Sequence, residues 1–394
     1  MIKIGLRNNL LYPLLLIIFT FFRRILSVII SEFLEFESSL SFLTFLMFFS
    51  EFITGLIIYI YQLKFLKYNK KRTNSKQSRI KYFVLNNKMS YHDSRFKVYI
   101  LIFIATYFDF VEFVLTSYYF PKFENISKSL NIRLGSALTL SSFILYYFLL
   151  RIKIFNHQKF ALIIIFVCLI IIIFLEILFN IIYHSINGNI FLIILLIIIS
   201  LFFIGFQDNI EKYLLEFDFI NPFKMLMIEG LFGIILTFIY SFIENPIDNI
   251  IMFYKTQKTV KFIYLLICLA LFIILSGGRN SYRILTNKLY SPMTKAIADS
   301  FLDPILILYY FFMGIDFKFK NEKNLLYFIF NLILSLIIFF GGIVYSELLV
   351  LYHFNLELNT YYEVARRASE IENIVDNGDN GENGENVEMF SSNL

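Results

Sequence analysis

The chain has 394 residues, 58% of them hydrophobic and 19% aromatic, with a formal net charge of +5 and a mean hydropathy of +0.70. No soluble domain of this length can hide so much apolar surface in one core, so composition excludes a soluble globular protein and points to a polytopic membrane protein. Cys168 and Cys268 both fall inside apolar runs, where a disulfide would tie no loop, and they say nothing about redox compartment.

The opening run, "MIKIGLRNNLLYPLLLIIFTFF", has the basic start and apolar stretch of a signal peptide. No small-residue cleavage site follows it and the run continues past Arg24, so it reads as a first crossing. Apolar stretches of ~20 residues, the length that spans ~30 Å of hydrocarbon, recur at 10–31, 40–62, 98–118, 132–152, 161–183, 190–212, 223–243, 262–283, 294–315 and 325–352. The expected fold is an all-α polytopic membrane protein of ten transmembrane helices.

Turn and cap residues mark several helix edges. Asn221-Pro222 and Ser291-Pro292 each place a capping side chain before a proline at the first helical position, where the missing N–H is harmless. Pro121 and Pro246 stand just past the predicted ends of two other crossings.

Lysine and arginine set the orientation. Segment 64–97 holds eleven of them, whereas "SEFLEFESSL" before it holds none and three glutamates. By the positive-inside rule 64–97 is a cytoplasmic loop, and an even number of crossings then puts both termini in the cytoplasm. Loops 244–261 and 316–323 run against the rule, each with three lysines on the predicted outer side. The sequon Asn125-Ile126-Ser127 falls in a predicted outer loop. Beyond about residue 355, "DNGDNGENGENVEMFSSNL" is a low-complexity acidic tail too poor in apolar residues to fold, expected in the cytoplasm.

Two nearly identical strings, "ILYYFLL" at 144–150 and "ILYYFFM" at 307–313, sit in the fourth and the ninth predicted crossings. The fourth of five thus matches the fourth of the next five. Two five-helix halves, 1–188 and 189–354, would insert in opposite senses, because an odd count reverses the second half; that inverted repeat is common among secondary transporters.

The stretch "FQDNIEKYLLEFDFINPFKMLMIEGLFG", 206–233, combines a Glu-Lys pair, an Asn-Pro turn and a Glu-Gly-x-x-Gly sequence. "NSYRILTNKLYSPMTKAIADSFLDP", 280–304, has Thr or Ser, a basic residue and an Asp at the start of the ninth crossing. In these two stretches the chain resembles the drug/metabolite transporter superfamily, and specifically its nucleotide-sugar-transporter-like solute carrier branch. The resemblance covers most of residues 10–352; it is weakest in the first three crossings, excludes the tail, and is broken by the long basic loop. It implies a ten-helix carrier with cytoplasmic termini and falls directly on Glu229, but does not name the cargo.

An Asp, Lys or Arg at a helix centre costs roughly 2.5 to 3.5 kcal/mol on insertion scales, so each ionisable residue within a crossing is a candidate site residue. Arg279 and Arg283 are four apart on one helical face, as are Lys295, Asp299 and Asp303. One reading has them neutralise each other, Arg283 against Asp299. The other has Lys295 and the arginines face a cavity and hold an anionic group, with the acids setting their geometry. Asp303-Pro304 is expected to kink the ninth helix.

Asp109 and Glu112, three apart in the third crossing, repel each other, so one of them holding a proton would suit proton coupling; the alternative is pairing with Arg23 or Arg133. Arg23 either contacts substrate or snorkels to the surface. Glu229, with Gly230 and Gly233, reads as close helix packing around one polar group. Glu51 and Glu347 are weaker cavity candidates.

His92, His157, His184 and His353 are scattered without metal-like spacing and no GxSxG or HExxH occurs, which argues against an enzyme. No pore-lining ring or filter-like loop suggests a channel. The expected function is a secondary transporter moving a small polar, anionic metabolite by alternating access; a non-transporting sensor or scaffold with the same fold is the alternative. Expected partners are a small-molecule substrate and the lipid bilayer, with no nucleic acid, cofactor or metal; a homodimer is compatible with this class. An endomembrane (Golgi, vacuole or lysosome) is the expected location, ahead of the plasma membrane.

Overall fold

A computed structural model describes residues 2–4, 11–30, 40–72, 95–115, 134–150, 155–183, 189–216, 218–242, 251–255, 259–312, 322–347 and 349–351, with positions 360, 363 and 367. The expectations for Pro121, Arg133, Pro246, the Asn125 sequon, most of the basic loop and the acidic tail lie outside these residues.

The helices are α1 (Leu11–Val28), α2 (Leu40–Arg72), α3 (Arg95–Val114), α4 (Ser136–Leu150), α5 (Asn156–Tyr183), α6 (Asn189–Glu216), α7 (Pro222–Ser241), α8 (Thr259–Leu289), α9 (Pro292–Ser300), α10 (Asp303–Phe312) and α11 (Glu322–Tyr345). Two three-residue strands, β1 (Ile2–Ile4) and β2 (Leu349–Leu351), pair antiparallel with Lys3 opposite Val350, which brings the chain start beside the end of α11.

Among the described residues seven helices are long and apolar enough to cross a membrane: α1, α5, α6, α7, α8 and α11, and α2 over Phe42–Lys64. The other three predicted crossings are also helical but fall outside these seven, each for a reason of its own. The α3 sequence carries Asp109 and Glu112, α4 is 15 residues long, and the ninth is split into α9 and α10. The split falls at Phe301-Leu302, ahead of Pro304, which has no N–H for the carbonyl one turn back and so interrupts the ladder there.

Caps form where the sequence places them. The Asn221 Oδ1 accepts from the Phe223 and Lys224 amides at 3.0 and 3.2 Å and starts α7. The Ser291 Oγ accepts from the Thr294 amide at 3.1 Å and starts α9. The last helix ends earlier than the apolar run predicts, at Tyr345 rather than 352, because Glu347 adopts a left-handed φ of 60° and turns the chain toward β2.

Packing sets the neighbours. The α2 helix lies against α7, α1 against α8, α5 against α11, and α6 against both α3 and α4; α8 also touches α2, α7 touches α3, and α9 touches α4 and α1. The α1–α8 pair is antiparallel: Tyr12 and Phe19 contact Tyr282, and Leu26 clusters with Leu265, Leu269 and Phe272. The α3–α6 pair is antiparallel too, with Phe108 on Phe203 and Phe206, and Ile102 clustered with Leu214. On the α5–α11 face Tyr327 donates to Glu176.

The α2–α7 crossing is closest at glycine. A Cβ on Gly230 would meet the Phe48 carbonyl oxygen at 2.8 Å, and one on Gly55 the Met227 amide nitrogen at 2.6 Å, in both cases backbone that cannot swing away. Small residues let membrane helices approach this closely. Gly230→Leu is expected to push α2 from α7 and destabilise the fold by at least the ~1–3 kcal/mol typical of overpacking, read as a lower unfolding midpoint in detergent; an unchanged midpoint would refute the tight contact.

Candidate polar cavity

Ionisable side chains that membrane insertion disfavours gather in the middle of this bundle. A cavity of about 390 Å³ is bordered by Arg23 and Arg24 of α1, Leu43 and Met47 of α2, Asp109 and Glu112 of α3, Leu138 of α4, Ile204 and Gln207 of α6, Phe272, Arg279 and Arg283 of α8, Lys295, Asp299 and Ser300 of α9, and Asp303 of α10. Its border contains five basic residues (Arg23, Arg24, Arg279, Arg283, Lys295) and four acidic ones (Asp109, Glu112, Asp299, Asp303).

Two of the five cations are held by acids. The Arg283 Nη1 lies 2.7 Å from Glu211 Oε1, and its Nη2 lies 3.4 Å from Glu229 Oε2 and 3.8 Å from Glu51 Oε1. The Lys295 Nζ donates to Asp208 Oδ2 at 2.9 Å and lies 3.4 Å from Asp299 Oδ2. Asn287 ties the clusters together, its Nδ2 donating to the Asp208 carbonyl at 2.8 Å and to Glu211 Oε2 at 3.2 Å. Arg283, Lys295, Asp208, Glu211, Glu229 and Glu51 are each at most 3% exposed, so these pairs act in a medium far less polar than water.

The remaining three cations differ. Among the described residues no carboxylate lies within 4 Å of a nitrogen of Arg23, Arg24 or Arg279. Arg23 Nη1 donates weakly to Met47 Sδ at 3.8 Å and Arg279 Nη1 to Asn280 Oδ1 at 3.0 Å, while Arg24 Nη1 and Arg279 Nε are buried without a hydrogen-bond partner among the described residues. All three sit where α1 packs on α8.

The two charge groups occupy different depths. Arg283, Lys295, Asp208 and Glu211 lie near the end of the bundle where α6 and α8 finish and α7 and α9 begin. Lys212 seals that end: its Nζ donates to the carbonyls of Lys288 and Tyr290 at 3.2 and 2.8 Å, closing the α8–α9 turn, and pairs with Glu216 at 2.6 Å. The cavity extends from this network toward the opposite end, where α1 and α3 finish and α2 and α4 begin. Lys212→Met is expected to lose about 1–3 kcal/mol of stability by leaving those carbonyls unsatisfied, measured as a lower unfolding midpoint; an unaffected midpoint would show that the lysine does not hold the turn.

Of the sequence-predicted site residues, Lys295, Asp299, Asp303, Arg279, Arg283, Asp109, Glu112 and Arg23 all border the cavity, and Glu229 stands behind it on Arg283. The expected pairing of Arg283 with Asp299 is not what forms. The face of α8 that carries Arg283 turns to α2, α6 and α7, whose glutamates take it, and Asp299 goes to Lys295 one helical turn away. Asp208, Glu211 and Arg24, ionisable residues within crossings like the others, complete the arrangement; the sequence signal for the first two is their three-residue spacing in "FQDNIEKY".

Fold and composition define an all-α, multi-pass membrane protein with a polar central cavity. In comparison with known proteins, no family model matches the chain, and no curated protein matches it.

Proposed function

We propose that this chain is a secondary transporter that carries a small polar metabolite, presenting an anionic group, across a membrane by alternating access. The observation that carries this reading is the cavity of about 390 Å³ with three guanidinium groups, Arg23, Arg24 and Arg279, that have no carboxylate within 4 Å among the described residues. Guanidinium groups bind carboxylates and phosphates through paired N–H donors, and burial strengthens the attraction.

The contact pattern supports an inverted repeat. Count the crossings as α1 to α8, then α9 with α10, then α11, and exchange each with the one five places along. The α1–α8 contact becomes α6–α3, α4–α6 becomes α9–α1, and α2–α8 becomes α7–α3, while α2–α7, α5–α11 and α4–α9 map onto themselves. Both members of the first pair are antiparallel. The strings at 144–150 and 307–313 belong to crossings that this exchange relates. The broken ninth crossing, with Asp299, Ser300 and Asp303 flanking its interruption at the cavity border, fits the discontinuous helices that carry transporter sites. The β1–β2 pairing of chain start with the end of α11 suits an even number of crossings and cytoplasmic termini.

In this reading the Arg283 and Lys295 ion pairs close the bundle on the side of the α8–α9 turn while the cavity faces the other side. Transport exchanges the two arrangements, so these pairs must separate in each cycle. Purified protein in proteoliposomes is expected to show solute uptake that the same solute trapped inside accelerates. Uptake without trans-stimulation would indicate a channel, and no uptake of any tested metabolite would favour a scaffold.

A further inference from the structure

Contacts that an exchange of halves should produce twice are not all present twice, and the missing ones lie at one end of the bundle. The α2–α7 crossing is the symmetric part. A Cβ on Gly55 would meet the nitrogen and Cα of Met227 and the carbonyl oxygen of Phe223, and one on Gly230 the nitrogen and Cα of Phe52 and the carbonyl oxygen of Phe48. A single offset of 175 residues carries Gly55 onto Gly230, Phe52 onto Met227 and Phe48 onto Phe223. At this crossing the exchange holds to the atom.

Elsewhere it fails. The α6 helix touches α8 and α9 at the end of the bundle that Lys212 seals. Exchange turns these contacts into α1–α3 and α1–α4, and neither pair packs to a comparable extent among the described residues. The cavity lies in that gap, with Arg23 of α1 and Glu112 of α3 at its border.

The charges at the two ends are reciprocal. At the sealed end the acid stands on α6 and the guanidinium on α8: Glu211 meets Arg283 at 2.7 Å, each within about two turns of its helix end. At the open end the guanidinium stands on α1 and the acid on α3, and Arg23 and Glu112 are again within about two turns of their helix ends. The sign is reversed and the placement is kept. Arg23 forms no ion pair among the described residues; it has the weak 3.8 Å donation to Met47, and Glu112 is the carboxylate that attracts it most across the cavity.

We propose that Arg23 and Glu112 form the second gate: when the pairs around Arg283 part, α1 and α3 close on each other and this guanidinium meets this carboxylate, leaving Arg24 and Arg279 to hold the solute. This rests on the transporter reading and supplies the contact that closes its open side. Without such a pair the sealed end would lose its ion pairs with nothing gained in exchange, and the state facing the α8–α9 turn would be scarcely populated.

The test traps the closure. In the full-length protein, with Cys168 and Cys268 replaced by alanine, Ser27→Cys and Phe113→Cys place thiols at the cavity border close in sequence to Arg23 and Glu112. In proteoliposomes copper phenanthroline is expected to link them, read as two thiols lost to maleimide and regained on reduction. Arg23→Gln and Glu112→Gln should each slow the linkage by at least about tenfold, as the closed state loses population. Arg23→Glu combined with Glu112→Arg should link faster than either of those reversals alone. Arg283→Lys, which loosens the sealed end, should speed it; opposite responses at the two ends are not what general destabilisation produces. No linkage in the protein with its charges intact, linkage unaffected by Glu112→Gln, or slowing by Arg283→Lys would each overturn the proposal. Trans-stimulated uptake by a protein whose thiols never link would overturn the gate and leave the transporter reading intact, whereas linkage with this pattern in a protein that moves no solute would uphold the closure and remove transport.

Discussion

Arg283→Met is expected to destabilise the folded protein by about 3–5 kcal/mol, the loss seen when one partner of a buried ion pair is removed. The guanidinium is 3% exposed and serves Glu211, Glu229 and Glu51, from three different helices. Without it three carboxylates would face one another with no counter-charge, so α2, α6, α7 and α8 would no longer be drawn to one point. Arg283→Lys keeps the charge and loses the forked geometry, and should fall between wild type and Arg283→Met. Adding Glu211→Gln to Arg283→Met should recover part of the loss, because the two groups share one interaction and their effects do not add. Unfolding midpoints of wild type, Arg283→Met, Arg283→Lys, Glu211→Gln and the double variant in one detergent decide the matter; strictly additive losses from Arg283→Met and Glu211→Gln would show that the 2.7 Å contact contributes nothing.

Lys295→Ala is expected to reduce solute flux to background. The ammonium group joins Asp208 on α6 to Asp299 one turn along α9, at 2.9 and 3.4 Å, directly at the cavity border. Loss of the lysine leaves Asp208 buried with its charge unbalanced, which alone would lower stability by an amount similar to that for Arg283. Asp208→Asn added to Lys295→Ala should therefore restore the yield of folded protein in the membrane but not flux. Asp299→Asn should likewise abolish flux in a protein that still reaches its membrane. Wild-type flux from Lys295→Ala would remove that residue from the site.

The helices were legible because their causes are local. Asn221 and Ser291 stand directly before prolines and cap as their chemistry dictates, and Pro304 interrupts the ninth crossing near the position at which the sequence marks it. The end of the last helix was less legible, since the apolar string "LLVLY" continues the hydropathy signal past a backbone turn that only the left-handed Glu347 reveals. Residues at the cavity could be picked out because an ionisable group inside an apolar run is conspicuous wherever it packs. Their partners could not. Spacing along one helix identifies Lys295 with Asp299, four apart, but Arg283 meets Glu229 across 54 residues and Lys295 meets Asp208 across 87. Such pairings depend on which faces of separate helices meet, and that information resides in the packing.

Alternating access predicts that one cavity position is reached from both sides of the membrane. Ile204 borders the cavity, and the native thiols, Cys168 and Cys268, can be replaced by alanine before Ile204→Cys is introduced. In sealed vesicles of each orientation, a membrane-impermeant maleimide should label Cys at 204 from the side of the α1–α2 connection and also, more slowly, from the side of the α8–α9 turn. Labelling from one side only under every condition, or from neither, would contradict the transporter reading.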